Sequence, residues 1–337
     1  MTEKITLGVI GTGWITHDYV SHSLSTGKFS LGAVYSRKHD TAAAFASKYP
    51  DQTPTLYTTL DDLAADANIT TVYIASPNIL HYEQAQAMLH AGKHVILEKP
   101  LATSEAQLDA LFALAATKQR VLVEAFRHVH EANFKILKQS LPKVGALLGA
   151  NLSFCQYSSR YEKVLLGAET PAVFDLKMAG GALVDLGIYV VAAAVELFGP
   201  PESSVYHPMV IPSGCDGGGT LVLKYAKDVQ VSLQVSKMYA SRAPSEVYGT
   251  QGTLSVPTIT DIERVTFWDV KNKGPVGLEL GTQREALNLK EEAVEHARII
   301  LEADWESVKR WEAHSRAVVR VMEGVRRANG LLFPGEE

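Results

Sequence analysis

A short apolar run, Val95-Ile96-Leu97, ends on Glu98-Lys99-Pro100. Such a run, closed by a turn signal, reads as a strand buried on both faces. Pro100 lacks an N–H and fixes φ, so it cannot continue the strand. The chain thus sets a carboxylate and an ammonium side by side at a strand's carboxyl end, the edge where ligands bind in an open α/β sheet. An ammonium there can polarise an oxygen or favour the anion of a neighbouring acid. A second pattern complements it: Gly11-Thr12-Gly13-Trp14-Ile15-Thr16 follows the apolar run Ile5–Ile10 and opens a helical pattern. Gly11 permits a tight turn, and Gly13 lets a pyrophosphate approach the helix N-terminus, where N–H groups and the helix dipole favour an anion. Thr16 stands where Gly or Ala would pack more closely.

The next strand ends at Tyr35-Ser36-Arg37-Lys38. A site for NAD places an acidic residue here on the ribose 2′-hydroxyl. A hydroxyl and two cations suit a 2′-phosphate instead, with Arg37 presenting a planar fork and Ser36 donating a hydrogen bond. The expected cofactor is NADP(H), with NAD possible.

These residues need a scaffold, and the first 125 residues provide one. Strand patterns at Ile5–Ile10, Leu31–Tyr35, Val72–Ala75, Val95–Leu97 and Val121–Ala125 alternate with helical ones at Trp14–Ser25, Thr41–Lys48, Glu83–Ala91 and Glu105–Thr117. Ser104 is an N-cap and Gly92 a C-terminal stop. Alternation of this kind predicts a parallel, doubly wound Rossmann sheet over residues 1–125. From 126 to 337 the pattern changes to α+β. A bridging helix is expected at His130–Leu141 and a long apolar helix at Ala182–Leu197. Strands follow at Ser203–Val210, Gly219–Tyr225, Val229–Val235, Ser245–Tyr248, Gly252–Val256 and Val265–Trp268, then helices at Arg284–Leu301 and Trp305–Ala328. Short turns between these strands predict an open, mainly antiparallel sheet. Apolar residues on both faces of Gly219–Val235 (Leu221, Val222, Leu223, Val229, Val231, Leu233 and Val235) predict a homodimer or higher assembly through that sheet.

Composition excludes several classes. With 337 residues, 46% apolar and 20% charged, the chain has room for two globular domains. A net charge of −5 gives no electrostatic footprint for nucleic acid. No apolar run approaches the length expected of a membrane span, and the N-terminus has no signal-peptide pattern. Cys155 and Cys215 are too few for a disulfide framework or a zinc site, so no metal is expected and reduced thiols in the cytoplasm are.

Three further segments complete a set: Ser76-Pro77-Asn78 with His81, Glu98-Lys99-Pro100, and Gly180-Gly181 before Asp185-Leu186-Gly187-Ile188-Tyr189. With the Gly-Thr-Gly turn and the closing Asn329-Gly330-Leu331-Leu332-Phe333-Pro334, the chain resembles the Gfo/Idh/MocA family of NAD(P)-dependent oxidoreductases over nearly its whole length. Within that family it is most similar to the dimeric dihydrodiol dehydrogenase and glucose–fructose oxidoreductase branch.

The resemblance implies hydride transfer between a nicotinamide and a CH–OH/C=O carbon of a sugar, polyol or vicinal diol. It also implies Tyr189 as the acid/base and Lys99 as its matching cation. An unperturbed tyrosine titrates near 10, too high for base work near neutrality, and an adjacent ammonium favours the phenolate. Lys99 either tunes Tyr189 or polarises the substrate oxygen. Asp185, four residues earlier on the same helix face, either orients Lys99 or binds substrate. Glu98 positions the cofactor or Lys99, Asn78 lines the nicotinamide ribose, and Arg127 reaches the nicotinamide side. His81 is a cofactor contact or a helix-start residue. Tyr157, Arg160 and Tyr161 are weaker substrate candidates. The alternatives are a reductase of another small carbonyl or C=N substrate, and a non-catalytic NADP(H)-binding sensor.

Overall fold

Strands and helices alternate from the first residues onward in the computed structural model, which describes residues 4–167, 169–271 and 277–336. The opening elements are β1 (Ile5–Ile10), α1 (Trp14–Ser25), β2 (Phe29–Tyr35), α2 (His39–Ala46), β3 (Thr55–Tyr57) and α3 (Leu60–Ala65). They continue with β4 (Thr71–Ile74), α4 (His81–His90), β5 (His94–Glu98), α5 (Glu105–Lys118) and β6 (Leu122–Ala125). All sheet pairs are parallel, in the order β3-β2-β1-β4-β5-β6. The order reverses at β1/β4, the position where a doubly wound sheet binds its ligand. Val95, Ile96 and Leu97 of β5 are fully buried, as a strand covered on both faces requires.

The chain divides into two units, Met1–Arg127 with Leu287–Arg316, and His128–Ala286 with Ala317–Glu337. The structure thus departs from a single boundary after residue 125. Helix α10 (Lys290–Leu301) and the first half of α11 (Trp305–Ala328) belong with the parallel sheet. The physical reason is packing of α10 on α1: His296 Nδ1 lies 3.2 Å from the Tyr19 hydroxyl, and Leu289 N donates to His22 Nδ1 at 3.3 Å. The expected helix His130–Leu141 is two pieces, α6 (Arg127–His130) and α7 (Ala132–Gln139). They part at Glu131, whose ψ of 139° is extended and whose carboxylate accepts from Asp261 N and Ile262 N at 2.8 Å.

The second unit contains β7 (Leu147–Cys155), α8 (Tyr161–Leu165), α9 (Ile188–Phe198), β8 (Ser203–Val210), β9 (Asp216–Lys224) and β10 (Gln230–Ser236). The sheet is extended by β11 (Ser245–Gly249), β12 (Gly252–Val256), β13 (Thr266–Asp269) and β14 (Leu278–Glu279). The order is β14-β13-β12-β11-β7-β10-β9-β8. Only the β7–β10 pair is parallel among these described strands.

One row across this sheet reads Leu223, Val231, Ala150, Val247 and Leu254, all buried. The opposite face reads Val205, Val222, Ser232, Asn151, Glu246, Ser255, Thr266 and Glu279 in register. The expectation of apolar residues on both faces is therefore corrected. Leu221, Leu223, Val231, Leu233 and Val235 alternate onto the core side, and Val222 alone of the named β9–β10 residues points the other way. The helical stretch Leu176–Phe198 also corrects the length estimate: by length and composition it could cross a membrane. It is the core of the second unit, with 83% of an 18-residue window of it buried there.

Candidate functional site

In the first unit, β1, β2 and β4 end around a cavity of about 280 Å³ lined by Ile10, Gly11, Thr12, Gly13, Tyr35, Ser36, Arg37, Ala75, Ser76, Pro77, Leu80 and Gln84. The two glycines differ in kind. Gly11 has φ +105°, and a Cβ would lie 2.5 Å from Ala75 O. Gly13 has an ordinary extended backbone (φ −75°, ψ 177°), and a Cβ there would meet nothing within 4 Å. A side chain at Gly13 would fill open space beside the cavity it lines. No side chain caps α1 and no acidic residue occupies its first turn, so its N-terminal N–H groups suit an anion. Arg37 stands at the β2 edge of the cavity with no carboxylate among the lining residues. This donor set fits a dinucleotide with a 2′-phosphate. Thr16 is fully buried with Oγ1 lacking a hydrogen-bond partner, the local consequence of a hydroxyl in the third motif position.

The cavity thus gathers Gly11, Thr12, Gly13, Ser36, Arg37, Ser76 and Pro77 from the expected residues and adds Ile10, Tyr35, Ala75, Leu80 and Gln84. Trp14, Ile15, Lys38, Asn78, His81, Glu98, Lys99 and Arg127 lie outside its lining. Trp14 is 71% exposed at the start of α1. His81 is buried, its ring nitrogens 2.8 Å from Pro100 O and 2.8 Å from Ser76 O. Those contacts give it a structural post, tying the loop after β4 to the turn that carries Lys99. Burial pushes its pKa down.

That turn is held from several sides. Lys99 N and the Tyr73 hydroxyl both donate to the Glu98 carboxylate, at 3.2 and 2.6 Å. Burial pushes the Glu98 carboxyl up, opposed by the Lys99 ammonium, the Tyr73 hydroxyl and Arg127. Tyr73 in turn stacks on Tyr19, centroids 4.0 Å apart. Beyond the cis Lys99–Pro100 peptide, Leu101 N donates to Glu124 Oε1 at 2.8 Å and the Ser315 hydroxyl to Oε2 at 2.6 Å. Burial raises the Glu124 carboxyl to about 7. Sequence pattern does not single out Tyr73 as an anchor, although a tyrosine in an otherwise apolar buried strand needs a partner for its hydroxyl.

In the second unit, Asp185 and Tyr189 stand out by exposure. From Gly181 to Val190 every residue is buried except these two, which are partly exposed. They sit where a π-helical turn, Leu183–Gly187, runs into α9; such turns recur at functional sites. Gly180-Gly181 starts this segment because larger residues would not fit. A Cβ at Gly180 would lie 2.4 Å from Ala172 O, and one at Gly181 (φ +129°) would lie 2.3 Å from Asp216 Oδ1. Asp216, buried, accepts from Leu183 N at 2.6 Å and from the Tyr206 hydroxyl at 2.7 Å. The closing motif joins the same chain of contacts, since Asn329 Nδ2 donates to Tyr206 O at 3.0 Å.

Around Tyr189, the rings of His128 and Phe154 lie 5.0 and 5.3 Å away, and His128 Nε2 is 2.9 Å from Tyr189 O. The Asp185 carboxylate forms an ion pair with Lys237, a residue no motif signals. Of the weaker candidates, Tyr161 packs on Phe174 at 5.8 Å, while Tyr157 and Arg160 are exposed.

Comparison with known proteins gives concordant matches. The model of an oxidoreductase family with an NAD-binding Rossmann fold (Gfo/Idh/MocA) matches residues 5–126, and that of the same family's C-terminal domain matches residues 142–255. An uncharacterised oxidoreductase of Escherichia coli is 38% identical over 98% of both chains. The scyllo-inositol 2-dehydrogenase (NADP(+)) of Bacillus subtilis is 34% identical over 99% of both. Mouse trans-1,2-dihydrobenzene-1,2-diol dehydrogenase is 28% identical over 98% of both. Among solved structures, a 3-ketoreductase from Actinomadura kijaniata, in complex with NADP and TDP-benzene, superposes with a TM-score of 0.81 at 22% identity, covering 96% of this chain and 98% of the other.

Proposed function

The chain belongs to the Gfo/Idh/MocA oxidoreductases, and from that membership we propose that it is an NADP(H)-dependent dehydrogenase acting on a CH–OH/C=O group of a polyol, sugar or vicinal diol. The observation that carries the cofactor choice is the end of β2, where Ser36 and Arg37 line the cavity and no carboxylate does. Gly11, Thr12 and Gly13 with the α1 N-terminus hold the pyrophosphate, Arg37 and Ser36 the 2′-phosphate, and Lys38 adds positive charge beside them. Trp14, Ile15, Ser76, Pro77 and Asn78 complete the cofactor's surroundings, and Arg127 acts from the Glu98 side. The substrate class follows the scyllo-inositol and dihydrodiol dehydrogenases among the relatives.

The bound nicotinamide supplies or accepts the hydride. The protein's task is the proton on the reacting oxygen. The Tyr189 hydroxyl gives or takes that proton, and Lys99 stabilises the negative charge that would otherwise build up there. Asp185 accepts a hydrogen bond from a substrate hydroxyl and so fixes which carbon is presented. Glu98 keeps Lys99 in place through the turn. The test is a screen of scyllo-inositol, trans-vicinal diols, sugars and the corresponding ketones, following NADPH absorbance in both directions. Turnover of a polyol or diol with NADP+ preferred over NAD+ is the expected result. Cofactor binding with no turnover across the panel would favour a sensor instead.

We also infer a homodimer through the outward face of the eight-stranded sheet, where Trp268, 40% exposed, shares a row with Tyr248 and Thr253. Light scattering on a sizing column that gives only monomer would refute it. A cytoplasmic location agrees with two buried free thiols, Cys155 and Cys215, and cell fractionation tests it.

A further inference from the structure

Lys237 follows the last residue of β10 and does not turn toward water. It is 6% exposed, and its ammonium sits against the Asp185 carboxylate and 5.8 Å from the centroid of the buried Phe174 ring. Its backbone is fixed on both sides: Lys237 N donates to Gly217 O at 2.8 Å, and Lys237 O accepts from Ser158 N at 2.9 Å. Asp185 is its carboxylate partner among the described residues. Asp185 itself is one of the two partly exposed side chains on an otherwise buried helical run.

An ion pair with its ammonium buried and its carboxylate partly exposed is a poor device for stability. Apolar residues of similar volume commonly serve as well, because desolvating both charges offsets their attraction. What the pair does supply is orientation. An ammonium fixed by its backbone and by an aromatic face beside it engages Oδ2 of Asp185 and so sets the direction of the carboxylate. A carboxylate so held is an acceptor of set direction for a substrate hydroxyl.

We propose that Lys237 is a positioning residue, holding the Asp185 carboxylate oriented to accept a hydrogen bond from a substrate hydroxyl. The proposal rests on Asp185 having the substrate-binding part given above. It assigns Lys237 no proton transfer and no contact with the cofactor.

The test combines two readouts on Lys237→Met, Lys237→Arg, Asp185→Asn and the Lys237→Met/Asp185→Asn double variant. The first needs no substrate: thermal melting should show non-additive shifts, the double variant melting close to the worse single one. The second is steady-state kinetics with scyllo-inositol, or with whichever compound of the panel turns over fastest. Lys237→Met should raise KM about 10-fold or more, the loss of one hydrogen bond to a charged group, with kcat changing far less. Lys237→Arg should restore KM most of the way, and Lys237→Met should add little in the Asp185→Asn background. An unchanged KM in Lys237→Met, or an undiminished effect in Asp185→Asn, would overturn the proposal. If Lys237→Met does not fold, Lys237→Gln replaces it in the same cycle. Coupling in melting together with no turnover of any polyol, diol or sugar by the wild type would count against the substrate class instead.

Discussion

Gly11 and Gly13 lie two residues apart in one motif, yet the structure gives them opposite consequences on replacement by alanine. At Gly13 the backbone is ordinary for alanine and a Cβ meets nothing within 4 Å. Gly13→Ala should therefore leave the cofactor-free protein as stable as wild type, or more stable by about 0.4–1 kcal/mol through the unfolded chain. The new methyl occupies the space in which a pyrophosphate approaches the α1 N–H groups. Losing one charge-assisted hydrogen bond there, about 1.5–3 kcal/mol, weakens NADPH binding roughly 10- to 100-fold. Gly11→Ala should behave differently. Its φ of +105° and the 2.5 Å approach to Ala75 O place strain in the apoprotein itself, costing about 1–3 kcal/mol for the backbone alone. Thermal melts without cofactor and a fluorescence titration with NADPH measure both quantities on both variants. If Gly13→Ala binds NADPH as tightly as wild type, the phosphate does not sit at this helix terminus. A marked loss of apoprotein stability in Gly13→Ala would equally refute the assignment of that space to ligand.

Further outcomes follow from other contacts. Asp216→Ala leaves Leu183 N without its acceptor and the Tyr206 hydroxyl with Gly218 O alone; urea denaturation should show a loss of about 1–3 kcal/mol, and an unchanged stability would contradict the anchoring role. Arg37→Ala should raise the KM for NADP+ by about 10-fold or more and leave that for NAD+ nearly unchanged, because only the former carries the 2′-phosphate. Glu124 is neutral in folded and unfolded chains below its ordinary value of 4.5, whereas between 4.5 and about 7 only the unfolded chain ionises. Its contribution to stability is thus lost as pH rises through that window, by about 3 kcal/mol in all. Glu124→Gln should match wild type below the window and exceed it above; a pH-independent difference would be inconsistent with a raised carboxyl.

Much of the scaffold is legible because its signals are local. A βα turn with Gly11 and Gly13, an apolar strand stopped by Pro100, and a helix carrying Asp185 and Tyr189 can all be read within a few residues. What escapes depends on partners far along the chain. Asp216 lies 33 residues from the N–H it accepts from, and Lys237 lies 52 from Asp185. Neither pairing follows from spacing, since sheet register brings them in. Leu221, Val222 and Leu223 show the limit of composition without period: consecutive strand residues face opposite sides, so an apolar run need not make two apolar faces. His81 reads as a contact by its place in a motif, yet two backbone carbonyls claim its ring. The return of Leu287–Arg316 to the parallel sheet is likewise a matter of packing on α1, which helix periodicity alone does not specify.

The central proposal is that Lys99 and Tyr189 both serve proton transfer. Turnover of Lys99→Met and Tyr189→Phe at saturating NADP(H) and substrate, with NADPH affinity measured alongside, tests it most directly. Each variant should lose about 100-fold or more in kcat while binding NADPH nearly as wild type does. Wild-type turnover in both would contradict the account.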